Sequence, residues 1–155
     1  MPEISKRIQA SEANLKTADH LLYSSFPLLR DKRILIKAIH ELDSALKSII
    51  SAILQYEFIS KNIKIYKNPK KNFKTFVKNC SQKYGITKEE IKKIIELSEI
   101  SKAQEKSPME FLKDKKMIIF STEMNVTQID IEDIKNFLLT AKNIMKKTKE
   151  KLELI

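Results

Sequence analysis

The sequence predicts a mostly α, single-domain bundle of about five antiparallel, up-down helices over residues 1–155, with a short β-hairpin near residues 116–129. Three observations carry that prediction. One glycine and four prolines leave long stretches without a helix breaker. Apolar residues recur at alternating spacings of three and four, the period of one helix face. With 42% hydrophobic and 32% charged residues the chain is not compositionally disordered. At this length ~68–70% of the unfolded chain's surface can be buried, so one core suffices without a disulfide staple.

The first helix is expected from about Glu3 to Phe26, its narrow stripe formed by Ile4, Ile8, Ser11, Leu15, Ala18, Leu22 and Ser25, with Pro27 limiting it to the residues before it. After the short break Pro27 to Asp31, a second helix reaches about Ser60 through Leu35, Ala38, Ile39, Leu42, Ala45, Leu46, Ile49, Ile53 and Tyr56. So short a connection makes the two an antiparallel hairpin. Asn68-Pro69 reads as an N-cap followed by proline at the first helical position, opening a helix to Tyr84 that Gly85 caps. Phe73, Phe76, Val77, Cys80 and Tyr84 share one face of it and read as core rather than as base-stacking platforms. Thr87 and Glu90 match a capping box that starts a fourth helix, to about Lys106. Ser107-Pro108 reads as a helix N-cap and first position. The β-prone runs Met117 to Phe120 and Val126 to Ile129, around Ser121 to Asn125, give the hairpin. A last helix from Asp130 or Ile131 to about Leu152 buries Ile134, Phe137, Leu138, Ala141, Ile144 and Met145.

Charge is distributed unevenly. Residues 1–57 carry eight basic against seven acidic side chains and residues 89–155 carry thirteen of each, so +9 of the formal +10 lies in residues 58–88. That segment holds Lys61, Lys64, Lys67, Lys70, Lys71, Lys74, Lys78, Lys83 and Lys88, and no acid. The bias of an AT-rich genome, with 27 Lys against three Arg, explains why lysine replaces arginine but not why the acids vanish. The segment reads either as a solvated face or as a surface for RNA or another polyanion through Lys61 to Lys83; lysines without arginine suit phosphates better than base edges.

Arg33 and His40, two turns apart on the second helix, project from nearly the same face with Asp43, Ser44 and Lys47. This Arg-x6-His spacing resembles the Arg-x4-6-His motif of the HEPN superfamily of small helical bundles. The resemblance implies a metal-independent ribonuclease or a nucleotide-, RNA- or protein-binding bundle, commonly a homodimer. In the catalytic case Arg33 would hold the scissile phosphate and His40 would move the proton of a ribose 2′-hydroxyl or of the leaving oxygen. His20 stands at a similar height on the first helix, which makes a histidine pair conceivable, although its neighbours there read as exposed. The stretch from Ser107 to Ser121, with residues 18–57, also resembles small uncharacterised archaeal proteins of similar length.

Other chemistries are excluded on composition. A single glycine rules out a Walker loop or dinucleotide fingerprint, which need several. Two histidines and one cysteine lack metal-site spacings, so neither metal nor cofactor is expected. Cys80 falls on a core stripe, where a thiol is a poor nucleophile. The lone cysteine, the lack of an apolar leader and the lack of any run approaching ~20 apolar residues read as a cytoplasmic protein without a membrane segment. Three readings stand on sequence alone: a polyanion-binding bundle, a ribonuclease using Arg33 and His40, and an antitoxin-like protein-interaction module.

Overall fold

In the computed structural model, residues 2–123 and 125–153 are described. Five helices and a three-stranded antiparallel sheet share one hydrophobic core. Helix α1 begins at Pro2–His20, continues through the π turn Leu21–Ser25 and ends in the turn Phe26–Leu29. Helix α2 is Lys32–Ile59. Helix α3 runs Pro69–Thr75 and continues through a second π turn, Phe76–Cys80. Helix α4 is Lys88–Glu105 and α5 is Ile131–Leu152, with strands β1 (Met109–Lys113), β2 (Lys116–Phe120) and β3 (Val126–Asp130) between them.

Helix α2 is the hub, with thirteen buried residues and α1, α3, α4 and α5 packed around it. Side-chain bonds fix the directions of the rods. Arg7 donates to Ser51 and Gln55 while Ser11 Oγ donates to the buried Ala45 carbonyl at 2.9 Å, so α1 runs antiparallel to α2. Asp19 pairs with Lys142 and Glu12 with Lys149, which sets α5 antiparallel to α1. The caps behave as their chemistry requires. Asn68 accepts from the Lys70 amide, Thr87 and Glu90 exchange both capping-box bonds, and Asp130 and Asp133 form a second box at α5. Gly85 sits at φ +69, where a side chain would be strained.

Three expectations are corrected. Pro27 does not end α1, because the π turn before it widens the helix. The Phe26 amide bonds the Leu21 carbonyl five residues back, and a proline without an amide is tolerated at the start of the following turn, which ends with Arg30 in the left-handed region. Helix α3 stops at Cys80, at the end of a π turn closed by Ser81 N bonding Phe76 O, and residues 81–85 form turns. Ser107-Pro108 precedes a strand, not a helix. The Ser107 hydroxyl accepts from the Met109 amide and donates to the Phe120 carbonyl 2.6 Å away, tying β1 to β2 at its first residue. The hairpin is therefore a three-stranded meander, with Asp114 at φ 56 in the two-residue β1–β2 connection. Met124, in the β2–β3 turn, lies outside the described residues.

Phe76 is the largest side chain with no exposure and carries α3 into the core. Phe76→Ala should cost about 3–5 kcal/mol, read as a fall in the urea midpoint.

Candidate nucleic-acid interface

The segment from Ser60 to Cys80 leaves the end of α2, crosses a loop and returns along α3. Asn72 holds the loop to the helix: its side-chain oxygen accepts from the Tyr66 amide and its amide nitrogen donates to the Tyr66 carbonyl, both at 2.8 Å. Loop and helix therefore present one surface. Lys61, Lys64, Lys67, Lys70, Lys71, Lys74 and Lys78 are all exposed on it, and none makes an ion pair among the described residues. Lys61 takes a left-handed conformation (φ 62) at the turn out of α2. Lys71 Nζ lies 5.6 Å from the centroid of the Tyr66 ring, which is 44% exposed. Of the four aromatics between the lysines, Phe76 and Tyr84 are buried and Phe73 is half-buried against the core, so Tyr66 alone offers a ring to a ligand.

Lys83 belongs to a different constellation. Its ammonium lies 2.5 Å from the carboxylate of Glu57, whose side chain is 1% exposed. Glu57 also accepts from the Tyr84 hydroxyl at 3.2 Å and from the Asn62 side-chain amide at 3.3 Å. An ionised carboxylate taken out of water needs such partners, and Lys83 supplies the compensating charge. It is accordingly left out of the free basic surface. The sequence carried a signal for this, since Glu57 continues the apolar stripe of Ile49 and Ile53 at helical spacing. The distant partner was not visible.

The same carboxylate shapes two nearby titrations. Burial, and then the Glu57 charge, pushes the Cys80 thiol up to about 11, and the same causes raise the Tyr84 hydroxyl further.

Arg33 and His40 have separate partners. Arg33 is exposed and its guanidinium is bound by Asp31, the N-cap of α2, at 2.6 Å. The side-chain and backbone hydrogen bonds from Arg33 hold the Asp31 carboxyl down to about 2. His40 is half-buried against α4. Its Nε2 lies 2.5 Å from Gln104 Oε1 and its Nδ1 2.9 Å from the buried Ser101 hydroxyl, both within hydrogen-bond distance, with a Glu105 oxygen 3.8 Å from Nδ1. Both ring nitrogens are thus engaged by α4, and no hydrogen bond joins Arg33 to His40 among the described residues. Asp43, expected on the same outer face, is buried and pairs with Lys47 at 2.8 Å. His20 lines an open cleft with Lys16, Asp19, Ser24 and Lys142, none of which is a partner of His40.

Among the described residues no helix is long and apolar enough to cross a membrane. Comparison of the chain with family models, curated proteins and solved structures returns no match.

Lys83→Met should destabilise the fold by about 1–3 kcal/mol, because a buried carboxylate loses its cation, and adding Glu57→Gln should recover part of the loss; urea unfolding of both single variants and the double variant measures the coupling. Cys80 and Tyr84 keep their protons to higher pH when folded than when unfolded. Unfolding therefore releases protons above about pH 9, the ordinary thiol value, and stability should fall as pH rises from there toward about 11. Cys80→Ala should make that fall shallower, while a pH-independent stability over the same range would contradict the assignment.

Proposed function

We propose that this protein binds RNA or another polyanion through the surface of Lys61, Lys64, Lys67, Lys70, Lys71, Lys74 and Lys78. One observation carries the reading: seven exposed ammonium groups share a loop and helix held together by Asn72, with no acidic side chain in that segment and no ion pair made by any of them among the described residues. Where the same chain needs lysine for structure it pairs it, as at Glu57–Lys83, Glu90–Lys147 and Asp19–Lys142. The unpaired set suits a ladder of phosphates, whose displaced counterions drive binding. Ammonium groups lack the planar fork that reads guanine, so the contacts are with backbone rather than bases, and Tyr66 beside Lys71 adds one stacking position.

A ribonuclease using Arg33 and His40 draws less support from the geometry. Gln104 and Ser101 occupy both nitrogens that would have to move a proton, and Asp31 occupies the cation that would hold the phosphate. The antitoxin-like reading has no single observation in its favour.

With about five lysines on phosphates, duplex affinity should fall with salt along a log–log slope of roughly −4 to −5. Charge reversal of Lys70, Lys71 and Lys74 to Glu should abolish duplex binding and leave thermal melting nearly unchanged, as expected of exposed positions. A slope near zero would remove the proposal, and a large loss of stability in the triple variant would mean that this face is packed. RNA cleavage in chelator that disappears in His40→Ala would favour the ribonuclease instead.

A further inference from the structure

The β-sheet has one face in the core and one in solvent. Met117, Ile119 and Ile129 point inward and are buried. The strand register places three rows on the outer face: Met109, Phe120 and Val126; then Phe111, Ile118 and Gln128; then Lys113, Lys116 and Asp130. Same-face rows lie about 7 Å apart, twice the rise per strand residue. The outer face is thus apolar and aromatic at one end and basic at the other. Met109 is 55%, Val126 51% and Phe111 39% exposed. Phe111 and Phe120 are diagonal cross-strand neighbours whose ring centroids stand 5.6 Å apart at a tilt of 31°.

The basic end sets two lysines side by side, with Asp130 across from Lys116 on its other side. Lys113 and Lys116 are directly opposite in the ladder, an arrangement of like charges that weakens a sheet, and neither makes an ion pair among the described residues. Beside them a cleft of about 470 Å³ is lined by these two lysines, Lys115, Ile118, Gln128 and the carboxylates of Asp114 and Asp130.

We propose that this outer face binds a single-stranded nucleic acid, with unpaired bases stacked on Phe111 and Phe120 and the chain's phosphates on Lys113 and Lys116. A row spacing near 7 Å suits successive unstacked nucleotides, an aromatic face accepts any base, and an anion between Lys113 and Lys116 relieves their repulsion. The Gln128 side-chain amide stands in the middle row, within reach of a base edge. A second copy of the chain is a poorer occupant, because the net charge of +10 opposes self-association and would bring lysine rows together. The inference stands on residues apart from the Lys61 to Lys78 surface, and the two can fail separately.

The chain has no tryptophan, so Phe111→Trp supplies a single indole reporter on this face while keeping the stacking ring. Titration with a short oligouridylate should quench its emission saturably, and an abasic oligomer of the same length should not. Quenching should persist when Lys70, Lys71 and Lys74 are changed to Glu, and Lys113→Glu with Lys116→Glu should weaken it roughly tenfold or more. Phe111→Ala should lower oligouridylate affinity by a similar factor. If Phe111→Trp disturbs packing, Val126→Trp reports from a more exposed position on the same face. Oligouridylate binding seen by anisotropy with unchanged emission overturns the proposal and leaves the lysine surface standing. Equal quenching by the abasic oligomer, or an emission shift with protein concentration alone, also overturns it, the latter by identifying a second copy as the occupant. Saturable quenching with no duplex binding would retain this site and remove the other.

Discussion

A carboxylate almost wholly withdrawn from water, Glu57, determines where the basic surface of this protein sits. It stands in the last turn of α2, accepts from Asn62 at the start of the following loop, and accepts from Lys83 and Tyr84 in the turns after α3. The end of α2, the loop that follows it and the turns 26 and 27 residues further on are fixed to one point. Burying such a charge costs several kcal/mol unless it is paired, so the cluster specifies geometry more than it adds net stability. With that point fixed, Phe76 and Cys80 enter the core, and the lysine-bearing side of α3 is left facing solvent.

The arrangement separates two kinds of lysine within a stretch that looks uniform in sequence. Lys83 compensates a buried charge, while the seven lysines from Lys61 to Lys78 make no ion pair among the described residues. The Asn72 clasp on Tyr66 matters for the same reason. A loop already held against its helix loses less conformational freedom on binding than a free one, so more of the electrostatic attraction is available as affinity. The sheet adds a surface of different character at its outer face, aromatic where the helix surface is almost purely cationic.

The helices were legible because their ends are written in local chemistry. Thr87 with Glu90, and Asn68 with the Lys70 amide just beyond Pro69, satisfy amide groups within three residues, and the apolar spacings between helix ends map directly onto buried faces. The π turns were not legible. A proline is normally a stop signal, and only the pairing of Phe26 with Leu21 shows how the helix passes it. Strand β1 was missed because Ser107-Pro108 carries the same residues as a helix start, and the Asp114-Lys115 connection lacks the usual Asn-Gly marker. Of the candidate site residues, the lysines were found from a run of charge, a local property. Lys83's partner is 26 positions away, and the α4 groups on His40 are 61 and 64 positions away, so no local pattern could reveal them.

The most direct test of a polyanion site on the loop and α3 is lysine acetylation footprinting with and without a saturating RNA, read by mass spectrometry. Protection of Lys61, Lys64, Lys67, Lys70, Lys71, Lys74 and Lys78, with Lys83 modified to the same extent in both samples, is the predicted result. RNA binding with those seven lysines as reactive as in the free protein, or with protection spread evenly over all 27 lysines, would contradict it.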